Sequence, residues 1–393
     1  MIEIKKNIYW VGVKDWDLRR FHGHELSTHR GSTYNSYLIR DEKTVLVDTV
    51  WDPYKEEFAE NLEREVGIAN IDMIVINHSE PDHAGSLEYI MSKIPDVPIY
   101  CTKNGAEILK KHYHNKNWNF NVVKTGDSVK TGRYELVFVE MQMLHWPDSM
   151  LTYIKGASLA LSNDAFGQHY VTRSLFNDEV DTCELYQEAI KYYANILSPF
   201  SPLIKKKVEE IKAMNLPLEM IAPSHGVIWR DNPGQIIDKY YEWSQDYNEG
   251  YVTIVYDTMY NATRSMAEAI GKGLEKRNIK YKLFNSSVTD KSDLMVELFK
   301  SKGIIVGSCT VNNIVMSSIV ETLEEIKALR LKGKPAAAFG SYGWSGEGAK
   351  IIHKRLEEAG LKLVGEPIQF KYKPTEEELA QCVELGEKFA QSL

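Results

Sequence analysis

Cysteine is scarce in this sequence. The 393 residues include four cysteines, Cys101, Cys183, Cys309 and Cys382, and no two of them form a C-x-x-C pair. That spacing is typical of zinc ribbons and of four-cysteine iron sites, so we expect neither within the chain. So few scattered cysteines also argue against a disulfide framework, and we expect a reducing, cytoplasmic location.

Three further features are missing. No apolar run is long enough to span a bilayer or to form the core of a signal peptide. Basic residues do not outnumber acidic ones: 47 Lys and Arg against 55 Asp and Glu give a formal net charge of −8. Because nucleic-acid binding needs clustered basic side chains, we do not expect it. The glycine fingerprint of dinucleotide-binding loops is also absent.

The length of the chain predicts two domains, because 393 residues exceed what one hydrophobic core usually organises. Over residues 1–248, short β-branched and aromatic runs are mixed with helical patterns, for example at 183–195, which we interpret as an αββα sandwich. Over residues 249–393, strands alternate with helices. That order predicts an α/β domain with one doubly wound parallel sheet, in which "KLVGEPIQF" forms a single strand.

The stretch "NHSEPDHAG", residues 77–85, places two histidines and two carboxylates after the apolar run "MIVI". One interpretation is a solvated turn. The other is a metal site, because side chains at i and i+2 of an extended segment point the same way and His78 and Glu80 could reach one ion. Asp82 and His83 follow where the chain turns. A cation removes the cost of carboxylates near a core, so metal binding explains their crowding.

Three more candidate ligands follow apolar runs in the same domain. His145 comes after "ELVFVEMQML", Asp164 after "SLALSN" and His225 after "EMIAPS". Each alone is typical of a hydrogen-bonded structural residue. Together with the first four they make seven ligands, which is enough for two metal ions with Asp164 as a bridging carboxylate.

The kinds of ligand indicate the kind of metal. The H-x-E-x-D-H spacing with later His, Asp and His resembles the metallo-β-lactamase fold, whose hydrolases usually have histidine where this chain has Glu80 and hold zinc. Here a harder oxygen ligand replaces a nitrogen ligand. Mixed carboxylate and imidazole ligands favour non-haem iron, while manganese and zinc stay open.

The second domain has a candidate phosphate loop in "YDTMYNATRS", residues 256–265. It joins a predicted strand to a helix, and backbone N–H groups at a helix N-terminus can hold an anion. The hydroxyls of Thr258 and Thr263 and the amide of Asn261 could complete the cradle. The alternative is ordinary N-capping by Thr263 or Asn261.

Two more loops follow the next predicted strands. "GSCTVNN", residues 307–313, and "GSYGWSGEG", residues 340–348, supply glycines that permit close approach to a planar ligand. Tyr342 and Trp344 could stack on its rings. Loops at the carboxyl ends of neighbouring parallel strands form a crevice, and this one resembles that of flavodoxin, whose ligand is FMN.

Together the two halves resemble the flavodiiron proteins, also called A-type flavoproteins, along the whole chain. The matching stretches are "HxExDHAG", "MLHWPDSM", "SNDAFGQH", "YYANIL", "SHGVIWR" and "FGSYGWSG". The resemblance implies a metallo-β-lactamase-like diiron domain, residues 1–248, and a flavodoxin-like FMN-binding domain, residues 249–393.

The family pattern also implies roles for individual residues. One iron would be held by His78, Glu80, His145 and the bridging Asp164, and the other by Asp82, His83, His225 and the same Asp164. Some relatives replace the residue that matches His83 or turn it away, so its ligation is open. The expected FMN contacts are Thr258, Met259, Tyr260, Asn261, Ala262, Thr263, Thr310, Asn312, Asn313, Ser341, Tyr342, Gly343, Trp344 and Gly346. For proton delivery the pattern implies His22 and Tyr193, or Tyr192 in its place, with simple packing as the alternative.

The family's activity is gas reduction. Members reduce dioxygen to water with four electrons, nitric oxide to nitrous oxide with two, or both, which scavenges these gases. We expect dioxygen ahead of nitric oxide, and the alternative is primarily a nitric oxide reductase. Relatives are head-to-tail homodimers or dimers of dimers, in which the FMN of one subunit lies beside the irons of the other. Rubredoxin is the expected external donor and reduced deazaflavin another; we expect no membrane partner.

Two rival functions fit parts of the pattern. A two-zinc hydrolase with an accessory flavodoxin-like domain would use the same metal ligands, but Glu80 and the flavin loops argue against it. An electron carrier would use its flavodoxin half alone, and the seven candidate metal ligands argue against that.

Overall fold

The protein is described by a computed structural model, and the description covers residues 1–114 and 117–393. The chain divides into two compact units. The first unit consists of Met1–Phe21, Thr28–Tyr192 and Phe200–Gln245, and the second of His22–Ser27, Tyr193–Pro199 and Asp246–Leu393. Two short segments that precede Asp246 therefore group with the second unit.

The strands and helices follow one another along the chain. The strands are β1 Ile2–Lys5, β2 Ile8–Trp10, β3 Val13–Asp15, β4 Arg20–Phe21, β5 Leu26–Ser27, β6 Ser32–Tyr34, β7 Tyr37–Arg40, β8 Thr44–Val47, β9 Met73–Val75, β10 Ile99–Cys101, β11 Phe120–Val122, β12 Ser128–Lys130, β13 Glu135–Glu140, β14 Met150–Lys155, β15 Leu159–Asn163, β16 Met220–Pro223, β17 Tyr251–Asp257, β18 Lys280–Asn285, β19 Gly303–Val311, β20 Ile314–Val315, β21 Pro335–Tyr342, β22 Lys362–Leu363 and β23 Ile368–Lys371. The α-helices are α1 Lys55–Glu65, α2 Pro81–Ala84, α3 Leu87–Met91, α4 Lys103–His112, α5 Thr182–Tyr192, α6 Ser201–Ala213, α7 Gly234–Trp243, α8 Ala262–Lys276, α9 Lys291–Lys300, α10 Ser317–Ala328, α11 Gly348–Glu358 and α12 Glu376–Gln391.

The first unit is built on two mixed sheets. One has the order β1-β2-β7-β8-β9-β10-β11 and the other β12-β13-β14-β15-β16. Their inner faces share one core, in which Val47 and Val75 of the first sheet pack with Phe138, Ile154 and Leu161 of the second. Because side chains alternate along a strand, neighbouring positions face outward toward helices. The predicted αββα sandwich is confirmed.

Parallel pairing fixes where this unit gathers its polar loops. Strands β8, β9, β10 and β11 run parallel to one another, and so do β15 and β16. Parallel neighbours end at the same edge of a sheet, so the loop after β9 emerges with those of its parallel neighbours in the first sheet, and the loops after β15 and β16 emerge together in the second. These are the loops in which the sequence places most of its candidate metal ligands.

The second unit contains a parallel sheet with the order β18-β17-β19-β21-β22, to which β20 and β23 add at the side. Strand β17 is buried along its whole length, as expected of a parallel strand covered on both faces. On one face, Ile254 and Phe339 pack with Met266 of α8 and Phe389 of α12. The predicted doubly wound sheet is confirmed.

One predicted strand is wrong in detail. The segment "KLVGEPIQF" forms two short strands, β22 and β23, which pair with different parts of β21. Between them Gly365 has a φ of +75°, and Pro367 has no N–H to donate to a ladder. An uninterrupted strand cannot pass through these two residues.

Across the described residues, no helix combines the length and the apolar character needed to cross a bilayer.

Candidate functional site

The seven candidate metal ligands form two neighbouring groups in the first unit. The first group contains His78, Glu80, His145 and Asp164, and the second contains Asp82, His83 and His225. Within each group, one ligand atom from every residue lies within 4.8 Å of the others. These are the groups that the family resemblance implies, and the ligation of metal ions by them stays a prediction.

The local fold separates the four residues of 78–83 into these two groups. His78 lies in the extended segment after β9, and Glu80 has an extended backbone at the start of α2. Pro81 occupies the first helical position, where the missing N–H costs nothing. Asp82 and His83 therefore lie on a helical turn and face a different direction from His78 and Glu80.

Asp164 lies between the two groups. Its Oδ2 atom is 3.3 Å from His145 Nε2 and 3.5 Å from His78 Nε2. Its Oδ1 atom is 3.0 Å from His83 Nε2 and 3.6 Å from His225 Nε2. One carboxylate oxygen thus faces each group, which is the arrangement of a carboxylate that bridges two ions.

Two of the histidine rings are held from their far side. His78 Nδ1 lies 3.2 Å from Asp148 Oδ2, and His225 Nδ1 lies 2.6 Å from the carbonyl oxygen of Thr33. Such partners keep the proton on Nδ1 and leave Nε2 available as a ligand. The sequence interpretation did not single out Asp148, although it lies in the matched stretch "MLHWPDSM", three residues after His145.

Several buried polar atoms of the two groups have no hydrogen-bond partner among the described residues. They are Asp82 Oδ1, His83 Nε2 and Asp164 Oδ2. Buried polar groups are nearly always paired, so three such atoms around one point indicate a missing ligand. Four imidazoles and three carboxylates are donors that suit a non-haem iron pair, so the residues fit that cofactor.

Charge inside the cluster is balanced by protons when no cation is bound. Burial alone lowers the pKa of His83, but the carboxylates of Asp82 and Asp164 raise it to about 9. Burial likewise lowers the pKa of His145, and the nearby carboxylates of Asp164 and Glu80 raise it to about 9. Metal ions bind neutral imidazole and therefore replace these protons.

The two adjacent tyrosines that could deliver protons lie in different surroundings. Of the two adjacent tyrosines, Tyr192 has its ring centroid 5.1 Å from that of His169 and 6.2 Å from that of His225. The ring of Tyr193 packs instead on Phe299 in the second unit, at 5.6 Å. Regular helix α5 ends at Tyr192, and successive helical side chains point about 100° apart. The structure therefore favours Tyr192 over Tyr193 as the tyrosine beside the metal ligands.

Two further histidines differ in their burial. His22 is exposed in the single chain and has a positive φ of 51°. His169, which is not among the site residues expected from the sequence, is buried, and its Nδ1 lies 2.8 Å from Ser32 Oγ. Its ring centroid is 4.9 Å from that of His225, so it packs directly against a candidate ligand.

In the second unit, the candidate phosphate loop follows β17 and leads into α8. Asn261 lies at the N-cap with a left-handed backbone, φ +65°, and no side chain caps the helix by a hydrogen bond. Thr263 Oγ1 lies 2.9 Å from Ser341 Oγ instead, so the N-capping alternative is wrong. Thr258 Oγ1 is buried without a hydrogen-bond partner among the described residues. The loop thus presents open donors, as an anion site requires.

The other two loops, residues 307–313 and 340–348, are joined to each other by hydrogen bonds. Thr310 Oγ1 accepts a hydrogen bond from Gly348 N at 3.0 Å, and Asn313 Nδ2 donates to Glu347 Oε1 at 3.1 Å. Tyr260 and Trp344 are 89% and 87% exposed, so both rings stand free of the protein core in the single chain. The expected FMN residues gather at the carboxyl ends of β17, β19 and β21, and their contacts with FMN stay a prediction.

Comparison with known protein families divides the chain into the same two parts. Residues 33–226 match the family model "ODP family beta lactamase", and residues 254–386 match "Flavodoxin". The chain is 50% identical over 392 residues to an anaerobic nitric oxide reductase flavorubredoxin of Escherichia coli, covering 99% of this chain and 82% of that relative. The equivalent protein of Klebsiella pneumoniae is 51% identical, with 99% and 81% covered.

Solved structures agree over nearly the full length. The rubredoxin oxygen:oxidoreductase of Desulfovibrio gigas superposes with a TM-score of 0.96 at 34% identity, covering 99% of this chain and 98% of that one. The flavodiiron protein of Giardia intestinalis gives a TM-score of 0.94, also at 34% identity, with 99% and 96% covered.

The chain belongs to the flavodiiron proteins. As a flavodiiron protein it is an oxidoreductase of the family whose cofactors are FMN and a non-haem diiron centre. The flavodoxin-like unit is the part that accounts for FMN, and the cluster of His, Asp and Glu side chains in the first unit could hold the diiron centre.

Proposed function

We propose that this flavodiiron protein reduces dioxygen to water, nitric oxide to nitrous oxide, or both, and so scavenges these gases. The observation that carries the proposal is the position of Asp164, with one carboxylate oxygen toward each group of metal ligands. Such a bridge holds two ions side by side, as two-electron chemistry on a diatomic gas requires. We assign the diiron domain to residues 1–248 and the FMN-binding domain to residues 249–393.

Each residue of the site has a role in this proposal. His78, Glu80, His145 and Asp164 would hold one iron, and Asp82, His83, His225 and the same Asp164 the other. Two ferrous ions and FMN hydroquinone together supply four electrons when bound, enough to take dioxygen to two waters or, in pairs, to join two molecules of nitric oxide. The three carboxylates among these ligands, Glu80, Asp82 and Asp164, would offset much of the metal charge in a buried site.

Protons for the products come from the residues around the metal ligands. A tyrosine hydroxyl is protonated at neutral pH, and the ring centroid of Tyr192 lies 6.2 Å from that of the candidate ligand His225. We propose Tyr192 as the proton donor in place of Tyr193. His22 stays a prediction that depends on a second subunit, since its side chain is exposed in the single chain.

The FMN unit takes electrons from outside the protein in this proposal. We propose a rubredoxin as the donor, with reduced deazaflavin as a second donor to test. We also propose a head-to-tail homodimer, alone or paired, in which the FMN loops face another subunit. The exposure of Tyr260 and Trp344 beside those loops supports an interface there, because large exposed apolar rings are typical of interaction sites. The four free cysteines support the cytoplasm as its location.

A second candidate function is that of a primarily nitric oxide reductase. It is favoured by the 50% identity to flavorubredoxins named for nitric oxide, against 34% to the oxygen reductase of Desulfovibrio gigas. The sequence interpretation favoured dioxygen, and that preference stays a prediction.

Anaerobic turnover with reduced rubredoxin tests the function. We expect consumption of the donor when dioxygen or nitric oxide is added at equal concentration, with water or nitrous oxide as the product. The variant His78→Ala should lose this activity but keep its yellow flavin. If the variant reduced the gases as fast as the parent, the electron-carrier function would be correct instead. Two zinc ions in a purified protein that reduces neither gas would support the hydrolase.

A further inference from the structure

Gln168 is a fully buried polar side chain that joins two loops of the first unit. Its Nε2 donates to the carbonyl oxygens of Phe166 and Val227, each at 3.2 Å. Its Oε1 accepts a hydrogen bond from Val227 N at 2.8 Å. Both hydrogens of the amide and its carbonyl oxygen are therefore engaged with backbone on two different segments.

These two segments carry candidate metal ligands. Asp164 directly follows β15 and His225 follows β16, and the two strands are parallel neighbours. The pairing of these two strands ends at the hydrogen bond from Ser224 N to Asn163 O, at 2.9 Å. Beyond the strands, the loops are joined by the side-chain amide of Gln168 and by a hydrogen bond from Gln168 backbone N to His225 O at 3.3 Å.

Two glycines make room for this connection. A Cβ atom on Gly226 would lie 1.9 Å from Gln168 Oε1, and Gly226 has a φ of +76° that other residues rarely adopt. A Cβ atom on Gly167 would lie 3.0 Å from the carbonyl oxygen of Asp164 and 3.4 Å from that of His225. The two ligand-bearing loops are thus in close backbone contact, with the Gln168 amide between them.

We propose that Gln168 is a positioning residue that holds His225 and Asp164 at the spacing needed by the ion of the second group. The inference rests on the proposed diiron site. Asp164 Oδ1 and His225 Nε2, which would both bind that ion, lie 3.6 Å apart. His78, Glu80 and His145 lie on other loops, so loss of the Gln168 amide should weaken the second group more than the first.

Titration of metal-free protein with Co²⁺ tests this selectivity, because Co²⁺ absorbs visible light in a way that reports its ligands. The parent protein should bind two ions per chain. In Gln168→Met, which keeps the length but removes donors and acceptor, we expect one ion to bind as in the parent. The other should bind about 10- to 100-fold more weakly, as is usual when a partner that orients a ligand is removed.

Two further variants keep the test decisive. Gln168→Glu keeps the size and the acceptor for Val227 N but lacks the NH₂ group, and should show the same selective loss even if Gln168→Met does not fold. Gln187→Met is the matched control, since Gln187 is exposed on α5 in the same unit, and should bind both ions as in the parent.

The outcomes separate this inference from the proposed function. A parent protein that binds fewer than two Co²⁺ ions contradicts the diiron site itself, and this inference with it. A parent that binds two ions, with folded Gln168 variants that bind both equally well or lose both together, contradicts only the role of Gln168. The inference is supported if the Co²⁺ spectrum of the Gln168 variants changes for one ion only and their unfolding temperature matches that of Gln187→Met.

Discussion

The Asp148 carboxylate and the His78 imidazole form a buried pair, with 3.2 Å between Oδ2 and Nδ1. The same Oδ2 atom accepts a hydrogen bond from Ser79 N at 2.7 Å, so one carboxylate orients both the ring and the backbone beside it. The other ring nitrogen, Nε2, is left facing Glu80 and Asp164. Asp148 thus fixes the orientation of the His78 ring, although Asp148 is not itself a candidate metal ligand.

Removal of Asp148 should therefore weaken metal binding. We expect Asp148→Ala to lower metal affinity by roughly 10- to 100-fold, because His78 loses the group that fixes its orientation. Asp148→Asn keeps an acceptor oxygen and should lose less. A chelator competition assay on each purified variant measures the affinity. Asp238→Ala, at an exposed aspartate, is the control and should match the parent.

Substitution of Asp164 and substitution of His225 should remove different numbers of metal ions. Because Asp164 faces both groups, Asp164→Ala should lose tight binding of both ions. His225 belongs to the second group alone, so His225→Ala should retain one ion per chain. Metal analysis after gel filtration distinguishes the two variants. Equal losses in both would contradict the bridging position of Asp164.

Thr258 should contribute to FMN binding, because its buried hydroxyl has no hydrogen-bond partner among the described protein residues. We expect Thr258→Val to weaken FMN binding by about 10- to 100-fold, the usual worth of a hydrogen bond to a charged group. The unfolding temperature of the FMN-free protein should not fall, since the buried hydroxyl has no protein partner to lose.

A neighbouring threonine provides the contrast. Thr253 Oγ1 donates to Glu297 O at 3.2 Å within the same unit. Thr253→Val should therefore lower the unfolding temperature while leaving FMN affinity near that of the parent. Fluorescence titration of FMN and thermal unfolding of the same samples give both quantities. The reverse pattern in the two variants would contradict the phosphate loop assignment.

Lys334 should make stability depend on pH above neutrality. Burial lowers the pKa of its ammonium group to about 8, although the group donates to the carbonyl oxygens of Phe299 and Tyr247. In the unfolded chain the pKa is about 10.5. Between these values the unfolded chain binds more protons, so this residue's contribution to the free energy of unfolding rises with pH, by about 3 kcal/mol in total.

The contribution of Lys334 is isolated by a difference measurement. Below pH 8 the full cost of the buried charge is present, and it disappears as the pH rises toward 10.5. Lys334→Met cannot titrate, so the stability of the parent relative to this variant should increase across that window. Denaturant unfolding at several pH values gives the difference. A difference that stays constant with pH would show that Lys334 keeps an ordinary pKa in the folded chain.

Much of the fold and of the ligand set could be predicted from the sequence, because each depends on local pattern. Strand–helix alternation predicted the parallel sheet of the second unit, and candidate ligands such as His225 stand directly after apolar strands. The break between β22 and β23 was also readable, since Gly365 and Pro367 both oppose a continuous strand.

The residues that hold the ligands could not be predicted in the same way. Asp148 reaches His78 across 70 positions of sequence, and Gln168 reaches Val227 across 59. Such contacts depend on how the loops pack, which no periodicity encodes. The choice between Tyr192 and Tyr193 depended on where regular helix α5 ends, and helix ends are poorly fixed by sequence pattern.

The metal content of the purified, active protein decides whether the first unit holds a bridged iron pair. We expect two iron ions per chain, present as a coupled pair, together with one FMN. We also expect Asp164→Ala to remove the iron pair and leave the FMN. A protein that reduces dioxygen or nitric oxide at full rate with a single iron, with two zinc ions, or with no metal in the first unit would contradict this expectation.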